Sequence, residues 1–171
     1  MFKKTLLIVD DTEVNRVILK EVFQDDYKLI EAQDGNEALE IIKRENEAIA
    51  CVLLDLDMPN KDGFEVLEAM NSDPSLYSVP VVVVTAFDDP DTAVKALKLG
   101  AEDVVTKPFN QKILVQRIKS LIKRHDYENM KIENIVLRRQ SAAQMQLNSI
   151  LKNSVSLDDI EALKKIVKKY Q

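Results

Sequence analysis

Two patterns of apolar residues alternate along the first 124 positions. Short continuous apolar runs occur at Thr5-Leu6-Leu7-Ile8-Val9, Ala50-Cys51-Val52-Leu53-Leu54 and Val79-Pro80-Val81-Val82-Val83-Val84. Runs of this length without alternation read as strands buried on both faces, as in parallel sheets. Lys28-Leu29-Ile30-Glu31 is a weaker strand, and Asp103-Val104-Val105-Thr106 a short fifth one. Between them apolar residues recur at helical spacing. Val14, Val17, Ile18, Val22 and Phe23 mark a first helix, and Ala38, Leu39, Ile41 and Ile42 a second. Val66, Leu67 and Met70, then Val94, Leu97 and Leu99, mark two more. Asn110 caps a fifth, which carries Ile113, Leu114, Ile118, Leu121 and Ile122. Asp89-Pro90 is a helix start and Gly100 a helix stop.

Five strand–helix units in a row predict an α/β fold: a parallel sheet with helices on both faces. In such sheets function gathers beyond the carboxyl ends of the strands. The residues there are Asp10 and Asp11 after the first strand, Asp55 after the third, Thr85 after the fourth and Lys107 after the fifth. Three carboxylates, a hydroxyl and an amine are thus delivered to one edge.

Composition adds a boundary. All 3 Gly and all 5 Pro of the 171 residues precede position 109. Charge divides similarly, with a net charge of −7 over residues 1–124 and +2 over 125–171. An acidic first part suits phosphate backbones poorly, so no direct nucleic-acid partner is expected. One Cys and one His exclude a disulfide framework, a multi-Cys zinc site and a two-His metal site. The apolar run at the N-terminus meets Asp10 too soon to be a signal peptide or a membrane span. The expected compartment is the cytoplasm, where a lone thiol stays reduced.

An isolated Asp-Asp pair is more often a helix cap than a ligand set. A third Asp ending another buried strand changes that balance, because clustered carboxylates repel and need a cation. Oxygen ligands favour a hard divalent ion such as Mg²⁺. A carboxylate beside such an ion can accept a phosphoryl group as an acyl phosphate. Lys107 and Thr85 would each be unremarked alone, one as a surface lysine and the other as a strand residue. At the same edge they offer a positive charge and a hydroxyl to phosphoryl oxygens.

Val9-Asp10-Asp11, Leu53-Leu54-Asp55-Leu56-Asp57-Met58-Pro59-Asn60-Lys61-Asp62-Gly63, Val84-Thr85-Ala86 and Lys107-Pro108-Phe109 together resemble the receiver domain of bacterial two-component response regulators. Asp10-Asp11-Thr12-Glu13-Val14-Asn15-Arg16 further resembles receivers of hybrid and multidomain regulators. The resemblance covers residues 1–124 and implies a flavodoxin-like, doubly wound five-stranded sheet of order 2-1-3-4-5. It implies that Asp55 is the phosphoacceptor, and that Asp10, Asp11, Asp55 and the backbone carbonyl of Asp57 hold Mg²⁺. It makes Thr85 the switch hydroxyl, Lys107 the phosphoryl contact, and the Lys107-Pro108 bond cis. The implied phosphodonor is a histidine kinase, a phosphotransfer protein or a small phosphodonor. Catalysis would be limited to the domain's own phosphorylation and dephosphorylation. Two features depart from the family pattern. Val104 stands where an aromatic switch residue is usual, and Asp57 adds a carboxylate two residues past the acceptor. Phe87, two residues after Thr85, would either hinder an attacking water or serve only as loop packing.

Residues 125–171 form an expected all-α extension, a long helix to about 153 and a second over about 157–170. Ile118, Ile122, His125, Asn129, Ile132, Val136, Arg139, Ala143, Gln146 and Ile150 follow heptad steps, although several are polar. A homodimer through the tail and the face of the fourth helix, fifth strand and fifth helix is expected, with no membrane partner. The tail would transmit the switch itself or lead to an output domain. A rival function is an aspartyl-nucleophile phosphatase of haloacid-dehalogenase type using Asp55 and Asp57. Motif order opposes it, since that family has its D-x-D first and its acid pair late. A third, a scaffold that is never phosphorylated, fits poorly with an intact site.

Overall fold

A computed structural model of the chain describes residues 3–45, 48–76 and 79–154, with side chains to 149. Strands β1 (Thr5–Val9), β2 (Lys28–Ala32), β3 (Ile49–Leu54), β4 (Val81–Thr85) and β5 (Asp103–Thr106) alternate with helices α1 (Glu13–Phe23), α2 (Gly35–Glu45), α3 (Gly63–Ser72), α4 (Pro90–Lys98) and α5 (Gln111–Ser154). The strands pair in parallel in the order β2-β1-β3-β4-β5. This is the flavodoxin-like arrangement, with a long C-terminal helix.

Alternation along each strand divides the core in two. Leu7, Val9, Val52, Leu54, Val81 and Val83 face α2, α3 and α4, whose Ile42, Val66, Leu67 and Ala96 are buried against them. Leu6, Ile8, Cys51, Leu53, Val82 and Val84 face α1 and the first part of α5, meeting Leu19, Phe23, Leu114 and Ile118. Both faces of the central strands are covered, which is why they read as unbroken apolar runs. β2 lies at the sheet edge and only its Ala32 is fully buried, so its signal in the sequence is weak. Burial pushes the Cys51 thiol up to about 12, which keeps it a protonated core side chain.

Two helices turn differently from the apolar spacing. Val14, Val17 and Ile18 of α1 are exposed, and the buried positions are Arg16, Leu19 and Phe23. Arg16 can occupy a core position because carbonyl and carboxylate partners satisfy its guanidinium, which leaves the valines outside. On α4, Val94 and Leu97 are about half exposed and Ala96 is the buried residue. Asp89 caps α4, its side chain accepting from the Thr92 amide at 2.8 Å. Asn110 accepts from the Ile113 amide at 3.2 Å at the start of α5.

The β3–α3 connection is tight. Asn60 adopts φ 66° and donates to Asp34 at 2.9 Å. Asp62 and Glu65 form a reciprocal capping box on α3. A Cβ on Gly63 would come within 2.2 Å of the Asp55 carbonyl oxygen and 2.8 Å of Leu56 Cα. Both are backbone atoms that cannot turn aside. Gly63→Ala is therefore expected to cost about 3 kcal/mol, measured by urea unfolding. A loss below about 1 kcal/mol would mean that the loop can yield.

The chain divides into two units after His125. In the second, residues 126–149 are helical and every one is exposed, including Tyr127, Met130, Ile132 and Val136. The expected second helix at 157–170 lies outside the described residues. Among the described residues no helix is long and apolar enough to cross a membrane.

Candidate functional site

The parallel sheet delivers its strand ends to one edge, and four of the five expected side-chain groups meet there. Asp10, directly after β1, is 1% exposed, and Asp55, directly after β3, is 6% exposed. Lys107 reaches across from the residue after β5, and its Nζ donates to Asp10 Oδ2 at 2.6 Å and to Asp55 Oδ2 at 2.7 Å. Asp10 Oδ1 accepts from the Thr12 amide at 2.9 Å and from Asn15 Nδ2 at 3.1 Å. Asp55 Oδ1 accepts from the Leu56 amide at 2.7 Å. Asp11 is exposed, yet one carboxylate oxygen from each of Asp10, Asp11 and Asp55 fits within a 4.8 Å span.

One ammonium shared by two buried carboxylates leaves the cluster short of positive charge. Burial raises the Asp55 carboxyl above its ordinary 3.8; Lys107 opposes that rise and Asp10 adds to it. Burial alone would lower the Lys107 amine, but the hydrogen bonds it donates to Asp10 and Asp55 outweigh that and hold the amine above its ordinary 10.5. The cation is thus strongly held, while one carboxylate remains incompletely compensated. An oxygen-only donor set with surplus negative charge suits a hard divalent cation.

A cavity of about 390 Å³ opens above this cluster, lined by Asp11, Asp55, Asp57, Phe87 and Lys107 among others. Asp57 is exposed at its rim. Thr85 is the group that does not join. It is fully buried, and its hydroxyl accepts from the Phe87 amide at 3.3 Å, while Ala86 and Phe87 line the cavity. Its carbonyl accepts from the Lys107 amide at 2.7 Å, which ties the ends of β4 and β5 together. Val104 is half-buried in β5 and packs on the α2–α4 side of the core.

Apolar spacing missed Arg16 and Glu31. Arg16 Nη1 donates to the carbonyls of Asp10 and Asp11 at 2.8 and 3.1 Å, and its Nε donates to Glu31 at 3.2 Å. The signal for Arg16 was its position three and seven residues before Leu19 and Phe23, on the buried side of α1.

The family model described as "Response regulator receiver domain" matches residues 6–119. The chain belongs to the response regulator receiver family. A curated relative, response regulator RR06 of Streptococcus pneumoniae, is 41% identical over 121 residues, covering 70% of this chain and 54% of that protein. The chain spans about half the length of the curated relatives it matches. Among solved structures, the receiver domain of Francisella response regulator 1452 is 30% identical, with a TM-score of 0.65, and covers 71% of this chain and 98% of that one. The Mn²⁺-bound form of response regulator Rcp1 is likewise 30% identical, with a TM-score of 0.58, and covers 69% and 91%. As a receiver domain the chain is a module of two-component signalling, which sets aside the phosphatase. The acid cluster occupies the strand-end edge of the receiver fold, and Arg16 and Glu31 lie immediately beneath it.

Proposed function

We propose that the receiver accepts a phosphoryl group on Asp55 from a phosphohistidine donor, either a histidine kinase or a phosphotransfer protein. The observation that carries this reading is the Asp55 carboxylate held by Lys107 at 2.7 Å, at the floor of a cavity, with Asp10 and Asp11 alongside. In the transfer, an Asp55 oxygen forms a bond to phosphorus as the donor's P–N bond breaks, and the histidine leaves with the electron pair. Asp10, Asp11, Asp55 and the Asp57 carbonyl would hold Mg²⁺, as the oxygen donor set favours; the similar response regulator Rcp1 is known in a Mn²⁺-bound form. When bound, that ion supplies charge neutralisation for phosphoryl oxygens. Lys107 supplies a compact second charge, and Thr85 a hydroxyl once it turns from the Phe87 amide. Reorientation of Thr85 therefore distinguishes the two states of the switch, and Val104 removes an aromatic ring from that movement.

The test uses acetyl phosphate with Mg²⁺ and intact-mass measurement. One phosphoryl adduct, acid-stable and base-labile, is expected on Asp55, and EDTA is expected to suppress it. No adduct on the wild type, or an adduct mapped elsewhere, would defeat the reading.

Exposed Val94, Leu97 and Ile113 on α4 and α5, with Ile132 and Val136 further along the chain, support a homodimer of the activated form. Sizing with and without beryllofluoride is expected to show a larger dimer fraction on activation. An unchanged fraction would remove this part alone.

A further inference from the structure

Arg16 is a charged residue at a core position, and its partners explain its place. Its side chain is 10% exposed and projects from α1 beneath the loop that carries the acid pair. One terminal nitrogen holds two successive carbonyls, those of Asp10 and Asp11. A carbonyl's direction fixes the plane of its peptide, and the two planes flank the Cα of Asp11. Holding both therefore fixes the direction of the Asp11 Cα–Cβ bond, from which its exposed carboxylate reaches the cluster. Asp10 is fixed from the other side by Thr12, Asn15 and Lys107.

A bare guanidinium so close to a cation site would oppose the cation. Glu31 answers that charge: one oxygen accepts from Arg16 Nε at 3.2 Å, and the other pairs with Lys20 at 2.7 Å. The planar fork of arginine allows contact with carbonyls and carboxylate at once, which a lysine cannot reproduce. Lys107 touches the carboxylates themselves and so competes with a metal, whereas Arg16 touches only carbonyls and can remain in place.

We propose that Arg16 is a positioning residue that preorganises Asp10 and Asp11 for a divalent cation, with Glu31 orienting and neutralising it. This rests on the reading that those two acids bind Mg²⁺.

The experiment measures Mg²⁺ dissociation constants of the full chain by calorimetry, beside thermal melting. Arg16→Lys keeps the charge but not the fork, and is expected to weaken Mg²⁺ binding about tenfold, the scale seen for outer-shell partners of metal ligands. Glu31→Gln is expected to weaken it by a smaller factor, and to weaken it also in the Arg16→Lys background, where the lysine charge still needs its counter-ion. A purely structural role would lower the melting temperature and leave the constant alone. A folded Arg16→Lys protein whose constant stays within about twofold of wild type overturns the proposal. Wild-type Mg²⁺ binding that survives Asp10→Asn and Asp11→Asn, or its absence, overturns the underlying metal reading and this inference with it.

Discussion

Asp55→Asn is expected to take up no phosphoryl group from acetyl phosphate and yet to be the more stable protein when metal is absent. Loss of transfer follows from chemistry, since an amide oxygen is a poor nucleophile and cannot form the acyl phosphate. The gain in stability follows from the crowding of charge. Asp10 and Asp55 share one ammonium, and both are nearly excluded from solvent. Asparagine keeps the acceptor that takes the Leu56 amide at 2.7 Å and removes one carboxylate from the pair. The expected gain is about 1 kcal/mol in EDTA at neutral pH, of the size found when buried charges give way to neutral groups of similar shape. pH provides a second signature. A carboxyl whose folded pKa lies above 3.8 binds its proton more tightly in the folded state. Stability from this group is greatest below 3.8 and falls as pH rises through the folded value. The difference between wild type and Asp55→Asn should therefore open with rising pH across that interval. Equal stability at every pH would mean that the carboxylate is fully compensated without metal. A residual adduct on the variant would mean that another group is the acceptor.

Strand ends were the most legible part of this molecule. Thr5–Val9 is buried throughout and stops at Asp10, so one apolar run both defines β1 and places a carboxylate at the sheet edge. The same holds for β3 and Asp55. Position along a strand is a one-dimensional property, and a sequence records it directly. Rotation about a helix axis is not. Val14, Val17 and Ile18 have the spacing of a packed stripe and are exposed, while Arg16 is buried. Hydrophobic spacing treats arginine as a surface residue. It cannot register that the carbonyls of Asp10 and Asp11, folded back over the start of α1, satisfy the guanidinium. Side-chain direction escaped in the same way at Thr85: its place at the end of β4 was readable, its bond with the Phe87 amide was not.

Replacing Lys107 by methionine is expected to cost about 3 kcal/mol in EDTA at neutral pH, with much of the loss regained in Mg²⁺. Methionine approximates the volume of the lysine stem and removes only the ammonium. Asp10 and Asp55 would then face each other without a cation, and removing one partner of a buried ion pair is typically worth a few kcal/mol because the remaining charge is left uncompensated. Water entering the overlying cavity limits the loss to the lower end of that range. Three comparisons locate the cause. Adding Asp55→Asn to Lys107→Met should recover part of the loss, because the two positions share one interaction and their effects cannot add. Mg²⁺ should raise the stability of Lys107→Met more than that of wild type, since a bound cation stabilises the folded state by mass action and no ammonium competes for the same oxygens. Finally, the Lys107 amine lies above 10.5, so its contribution is complete below that value and disappears as pH rises through the folded pKa. Wild type in EDTA should lose stability in that alkaline interval, and Lys107→Met should lack this loss. Chemical unfolding in EDTA that differs from wild type by less than about 0.5 kcal/mol would show that Lys107 is not the counter-charge of the acid cluster.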